Sequence, residues 1–457
     1  MALLLGCTNE GEPPPVGRLA FPIAIRMTED GQHLLVANSN FDLRFNSGSL
    51  QSYNLDVLNS RVEEACAAVD PSERDDCGII PVEDERDDLT DTIQPISELL
   101  TDQVRIGSFA DGMAVARYGQ VSRVYMPIRS EANLTFVDVI EGRFDCGDNA
   151  GLGRPCDDVY RRGDNEAATL RNIELPADPV GIAVGPLTDI TTAGTADVAG
   201  NYVLFAHRDG RASLFFDQAE VDGSFAPILV HTISGLPEEL VDIALDPITR
   251  LAWAPSARGF VGRVGVAFDG VTREPERSFL FNAGEVRLSG IDTGSGTAGD
   301  TRVVRFDPRP DVDRAYFLSR RPRALLTADL SDRTSVAPVV DAVEVGFGPS
   351  RLELATFSDP DRTLAFVSCF DSRDLYVIDV DLSRLVGIVR GLGGPFELAV
   401  DAPRERVYVV DFRTSVLRII DLDPMLRCLR GDVNVDGECS PELLGIVGRP
   451  DATRELR

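Results

Sequence analysis

The sequence predicts an all-β protein, a seven-bladed β-propeller of four-stranded antiparallel blades, and three observations predict it. Short apolar stretches rich in Val, Ile and Leu recur along the chain, and the breaks between them carry Gly, Pro, Asp and Arg, the grammar of strands and turns. No stretch repeats its apolar residues at helical spacing for long enough to make a helix. The same order of strands returns at a spacing near the ~40–50 residues of a propeller blade. A lone four-stranded meander leaves a face uncovered, so each unit requires neighbours of its own kind.

The clearest copy lies near the end, where Arg384 to Val389, Pro395 to Asp401, Arg406 to Asp411 and Ser415 to Asp421 read as four strands of one meander. Its inner strand follows a proline in the pattern Pro-x-x-Leu-Ala-Val-Asp, and the next strand reads Val407-Tyr408-Val409-Val410-Asp411. Earlier copies begin at Pro22, Gly112, Pro179, Val241, Arg302 and Pro349, which makes seven units. The array spans residues 16–448, behind a tether at 1–15 and ahead of a tail at 449–457. Two insertions interrupt it, at 57–103 and 141–170, and both read as ordered loops on the rim, each held by one short disulfide.

Val407-Tyr408-Val409-Val410-Asp411 and Leu375-Tyr376-Val377-Ile378-Asp379 give the chain its family resemblance. It resembles the Tyr-Val-Thr-Asn repeat family of seven-bladed propellers, allied to the lactonase-like propellers, over most of residues 20–423. That family includes surface, binding and enzymatic members, so the resemblance implies a fold and leaves the activity open.

A formal charge of −29 excludes nucleic acid as a partner, because phosphate backbones require positive surfaces. All 45 basic residues are Arg, which removes Lys-based catalysis, including Schiff bases and Ser-Lys dyads. The start, Leu4-Leu5-Gly6-Cys7, resembles the lipidation box of bacterial lipoproteins, which implies a lipid anchor at Cys7 and residence in the periplasm or at the cell surface, attached to the outer membrane. Three close cysteine pairs, Cys66 with Cys77, Cys146 with Cys156 and Cys428 with Cys439, fit short-loop disulfides formed in an oxidising compartment, with Cys369 left as a buried thiol.

Several motifs carry possible chemistry. Asp432, Asn434 and Asp436 alternate along a loop that resembles the first half of an EF-hand or dockerin site, with the Glu438 carbonyl as a fourth oxygen and Ca2+ as the implied cofactor. Leu443 stands where such a loop places its bidentate acid, so an acidic turn before the strand Leu443 to Val447 is the other reading. Asp292-Thr293-Gly294-Ser295 resembles an aspartic-protease signature but occurs once, where catalysis needs two carboxylates. His33, His207 and His231 lie apart, with no nucleophile setting nearby.

The loop after the second strand carries Arg in nearly every unit: Arg44, Arg129, Arg208, Arg258, Arg320 with Arg321, Arg373 and Arg413. These loops should open on one face and bind carboxylates or phosphates bidentately. Neighbouring Asp42, Asp209, Asp371, Asp374 and Asp411 offer the competing outcome of Arg–Asp struts between blades. The expected function is a non-catalytic binding or scaffold module for a protein or an anionic glycan or lipid. The alternative is a lactonase-like hydrolase with its site in the central funnel.

Overall fold

The computed structural model describes residues 11–67, 79–80, 99–118, 121–148, 151–163, 169, 171–190, 200–218, 226–267, 278–290, 299–333, 335–431 and 439–448. They form antiparallel meanders with two short helices. Meander 1 comprises Pro22–Met27, His33–Asn38, Gly48–Asn54 and Leu100–Ile106. Meander 2 comprises Ala114–Tyr118, Val121–Ile128, Asn133–Ile140 and the short Arg161–Arg162. Meander 3 comprises Pro179–Pro186, Gly200–His207, Arg211–Gln218 and Ile228–Ile233. Meander 4 comprises Ala244–Leu245, Ala252–Pro255, Val261–Ala267 and Phe279–Ser289, and meander 5 comprises Asp300–Phe306, Arg314–Arg321, Arg323–Asp329 and Val336–Glu344. Their last strands pair in parallel, with Arg287 opposite Val336, so these two meanders share one eight-stranded sheet. Meander 6 comprises Pro349–Ser358, Asp361–Cys369, Asp374–Asp379 and Arg384–Val389. Meander 7 comprises Pro395–Asp401, Arg406–Asp411, Val416–Asp421 and Glu442–Val447.

The sequence grammar has physical causes. Second strands are buried on both faces, as in His33–Asn38, and therefore read as continuous apolar runs. The aspartate that closes several strands makes an Asx turn: its Oδ1 accepts the backbone N–H two or three residues on, from Ile248 to Asp246 at 2.9 Å, Arg309 to Asp307 at 3.0 Å and Asp381 to Asp379 at 3.1 Å. The proline at the start of a first strand follows a residue in the left-handed region, at Phe21, Asp178, Gly348 and Gly394.

The core lies between meanders. Successive apolar clusters join meanders 1, 2 and 3, then 3 to 4, 4 to 5, 5 to 6 and 6 to 7. A further cluster packs Tyr408, Val410, Leu417 and Ile419 of meander 7 on Ile25, Leu34, Val36 and Tyr53 of meander 1. The first strands also pack on one another in order, and that of meander 7 reaches that of meander 1. Gly181 permits one of these approaches: a Cβ there would stand 2.7 Å from the Asp242 Cα.

Four expectations are corrected. Arg384–Val389 pairs with Asp374–Asp379, so it closes meander 6 rather than opening the last unit, whose fourth strand is Glu442–Val447. The segment 57–103 is no plain loop: helix α1 (Leu55–Ala67) opens it, and its end belongs to the fourth strand of meander 1. Leu55, Leu58 and Val62 of α1 are buried against meanders 1 and 7, a helical spacing that was present in the sequence. The segment 141–170 supplies the last strand of meander 2, and its Arg154–Pro155 runs parallel to Leu100–Ile106. Helix α2 (Asp423–Arg430) precedes the final strand, with Met425 and Leu426 buried.

Among the described residues two disulfides are present, Cys146–Cys156 and Cys428–Cys439, and Cys369 is a buried free thiol. Cys66 falls within α1, and its expected partner Cys77 lies outside the described residues, as do Cys7, Asp292 to Ser295 and the proposed calcium ligands Asp432, Asn434, Asp436 and Glu438.

Candidate functional face

One hydrogen bond recurs where the second strands of meanders 1, 2, 3, 6 and 7 end. The first residue beyond the strand donates its N–H to the carbonyl of the left-handed residue, or equivalent glycine, before the first strand of the same meander. These bonds run from Ser39 to Phe21 at 3.0 Å, Arg129 to Phe109 at 3.1 Å, Arg208 to Asp178 at 3.3 Å, Phe370 to Gly348 at 2.9 Å and Phe412 to Gly394 at 3.0 Å. Non-glycine residues at positive φ cost free energy, and Phe21, Phe109 and Asp178 bring the two loops of meanders 1, 2 and 3 together in this way. The same backbone position therefore holds Arg129 and Arg208 in meanders 2 and 3, and Phe370 and Phe412 in meanders 6 and 7.

The other predicted arginines are not structurally equivalent to these. Arg258 and Arg413 stand one residue further along their loops, and Arg373 three. Their partners differ as well. Arg129 reaches Asp178 at 2.8 Å and Asp111 at 3.5 Å, and Arg258 reaches Glu238 at 2.8 Å and Glu239 at 3.2 Å. Arg44 pairs with Asp42 at 3.4 Å, while Arg413 lies 3.6 Å from Asp371 and covers the Phe370 ring at 4.5 Å. The Arg320 Nε donates to the Pro349 carbonyl at 3.0 Å. Arg208, Arg320 and Arg373 have no carboxylate within ion-pair distance among the described residues. Arg208 lacks its sequence neighbour because Asp209 accepts Arg211 Nε at 2.7 Å, and Asp411 is taken by buried Arg418.

Phenylalanines gather on the same loops, a feature the sequence reading missed. Phe412 packs against Phe21 at 5.0 Å, Phe41 at 5.5 Å and Phe396 at 5.8 Å between ring centroids, tilted or edge-on, and Phe41 meets Phe109 at 5.8 Å. Phe41 remains 54 % exposed. Its signal was available in the loop triplets Asn40-Phe41-Asp42, Cys369-Phe370-Asp371 and Asp411-Phe412-Arg413, where an apolar ring follows the end of a buried strand.

Beneath this face the converging first strands hold a charged network, also missed. Arg351 reaches Glu397 at 3.0 Å and Asp111 at 3.5 Å, Arg26 reaches Glu397 at 3.4 Å, and Arg305 reaches Asp242 at 2.7 Å and Glu353 at 3.9 Å. Irregularities in pairing at Pro22/Ala24, Pro349/Arg351 and Pro395/Glu397 fall where a first strand begins, the usual place for a bulge that re-aims a side chain. Burial raises the Asp111 carboxyl above its usual range, against the pull of Arg351, Arg129 and Arg208. Burial likewise opposes ionisation of Glu397, but Arg26, Arg351 and Arg305 outweigh it and hold that carboxyl low. Burial leaves Glu353 raised. The sequence mark of these residues is a lone charge between apolar neighbours, as in Ile25-Arg26-Met27, Val241-Asp242-Ile243 and Phe396-Glu397-Leu398.

Among the described residues no group of three or more His, Cys, Asp or Glu side chains is placed to hold a metal ion. His207 is buried between the Ala177 carbonyl at 3.2 Å and Ser213 Oγ at 2.8 Å, and the Leu280 N–H donates to His231 Nδ1 at 3.1 Å.

No family model and no curated protein matches the chain. A solved structure described as that of a functionally unknown protein from Desulfotomaculum acetoxidans DSM 771 is similar, with a TM-score of 0.49 and 13 % sequence identity over 83 % of this chain and 89 % of that one.

Proposed function

We propose that the seven meanders are the blades of a seven-bladed β-propeller and that the chain is a binding module, taking an anionic ligand on the face where the Arg and Phe loops meet. The closed order of inter-meander clusters and first-strand contacts supports the propeller reading. One observation carries the binding reading. A single repeated backbone position presents arginine in meanders 2 and 3 and phenylalanine in meanders 6 and 7. A face made this way suits a ligand with a negative group and an apolar flank, and an acidic glycan has both: carboxylates for guanidinium forks and C–H faces for aromatic rings. Arg208 and Arg373 are exposed and, among the described residues, have no carboxylate to displace, so they are available for such a ligand. The inner charges serve a different end, because they are engaged with one another.

Within the same proposal the module sits in the periplasm or at the cell surface, tethered by lipid at Cys7. The two disulfides suit an oxidising compartment. The test is binding of the intact chain to immobilised polygalacturonate at low and high salt. Binding should weaken with salt, and Arg208→Ala with Arg373→Ala should lower affinity at least tenfold without changing the denaturation midpoint. Phe412→Ala should lower it further. Binding that ignores both salt and the arginine pair would reject this face as the site.

A further inference from the structure

A cavity lies away from the converging first strands, walled in part by the loops that carry Arg44 and Arg129. It has a volume of about 320 Å³ and opens between meander 1 and the segment that follows the third strand of meander 2. Its wall includes Ser47, Arg105, Ser130, Glu131, Thr135 and Arg161. Cys156 also lines it, so the Cys146–Cys156 bridge fixes one side, and Pro155 sits opposite Arg105 in the parallel pairing that fixes the other. That volume lies within the range of small-molecule sites.

Two polar groups in this wall are unsatisfied. The Ser47 Oγ and the Arg105 Nε are both buried without a hydrogen-bond partner. Arg105 also has no carboxylate within ion-pair distance among the described residues, in a chain with 74 acidic side chains against 45 basic ones. Buried donors left unpaired are costly and uncommon, and a bound acceptor removes the cost. The other cation in the wall is already engaged, since Arg161 pairs with Glu131 at 3.0 Å and Asp158 at 2.6 Å. The net attraction therefore comes from Arg105 alone, which suits a single negative charge. The rest of the wall suits hydroxyl groups. Ser130 Oγ donates to the Ser108 carbonyl at 2.8 Å and Thr135 Oγ1 to Asn133 Oδ1 at 2.9 Å, so both keep lone pairs for a ligand's O–H, and Glu131 can accept another.

We infer that this cavity binds a small hydroxylated carboxylate, of the size of a monosaccharide acid, with its carboxylate on Arg105 and Ser47 and its hydroxyls toward Ser130, Thr135 and Glu131. The test is calorimetric titration of the full chain with D-glucuronate, with D-glucose as the neutral control. Glucuronate should bind saturably and glucose should not. Arg105→Met, which keeps the apolar stem, should weaken binding at least tenfold, and Ser47→Ala several-fold. The Arg105→Met loss should persist in an Arg208→Ala, Arg373→Ala background, which separates this cavity from those two loop arginines. Absence of glucuronate binding, equal binding of glucose, or affinity undiminished in both Arg105→Met and Ser47→Ala would overturn the assignment. If Arg105→Met fails to fold, the Ser47→Ala result decides.

Discussion

Replacing Arg123 by Met is expected to cost the fold about 3–5 kcal/mol, the range seen when one member of a buried ion pair is removed. Arg123 lies in the second strand of meander 2 and is only 1 % exposed. Its Nε and Nη2 donate to Asp138 at 2.6 and 2.8 Å, and its Nη1 donates to both oxygens of Asp217 at 2.9 Å. Asp217 belongs to the third strand of meander 3 and has no solvent exposure, so the guanidinium clasps two meanders. The Tyr118 ring covers it at 3.5 Å, and Tyr125 donates to Asp217 at 2.5 Å. Burial already pushes the Asp217 carboxyl up, with Arg123 and Tyr125 pulling against it. With Met at 123, that carboxylate keeps the hydrogen bond from Tyr125 and loses its charge partner. Its folded-state pKa then rises further above the unfolded value, so the native state binds the extra proton and the variant's deficit grows as pH rises from the ordinary carboxylate range toward neutrality. The assay is equilibrium urea unfolding at neutral and mildly acidic pH. Arg123→Met with Asp217→Asn should recover part of the loss, because the fully buried charge is then removed and only the partly exposed Asp138 loses its partner. A deficit below about 1 kcal/mol, or a double variant no better than the single one, would refute the reasoning.

Two further outcomes follow from buried groups. His207 has its pKa pushed down to about 4 by burial, so the unfolded chain binds the proton first and stability should fall as pH drops from about 6.5 to about 4, by up to about 3 kcal/mol; His207→Gln should flatten that slope, and an NMR midpoint near 6.5 would contradict it. Burial raises the Cys369 thiol to about 12, so iodoacetamide should leave Cys369 unmodified in the folded chain and alkylate it after unfolding in urea; alkylation without urea would place it at the surface.

What could be read from the sequence follows burial. Second strands such as Arg406–Asp411 lie inside the sheet stack and announce themselves as apolar runs. Fourth strands face outward: Val336–Glu344 is exposed at most positions, carries mixed residues and gives little periodic signal. That is why Arg384–Val389 was visible as a strand but assigned to the wrong meander. Spacing reveals that strands repeat, whereas pairing is decided in space. The arginines of the loops show the same limit. Their recurrence was legible, but not which would be neutralised, because Asp209 lies next to Arg208 in sequence and turns instead to Arg211.

The inner charges and the loop arginines separate two uses of the same residue type. Glu397 lies between Arg26 and Arg351, and Arg351 in turn reaches Asp111, so each of these charges is stabilised by others fixed in neighbouring first strands. A ligand entering there would have to break bonds worth more than an exposed pair offers. Arg208 and Arg373 sit at the opposite extreme, exposed and with no carboxylate within ion-pair distance among the described residues, so a ligand there gains their charge without first breaking such a pair. The phenylalanines beside Arg413 and Arg351 extend this argument: a guanidinium over a ring keeps its donors outward while its flat face is covered, as Arg413 does over Phe370. Under the proposed reading, recognition falls to the surface loops, while the charges beneath them tie neighbouring meanders together.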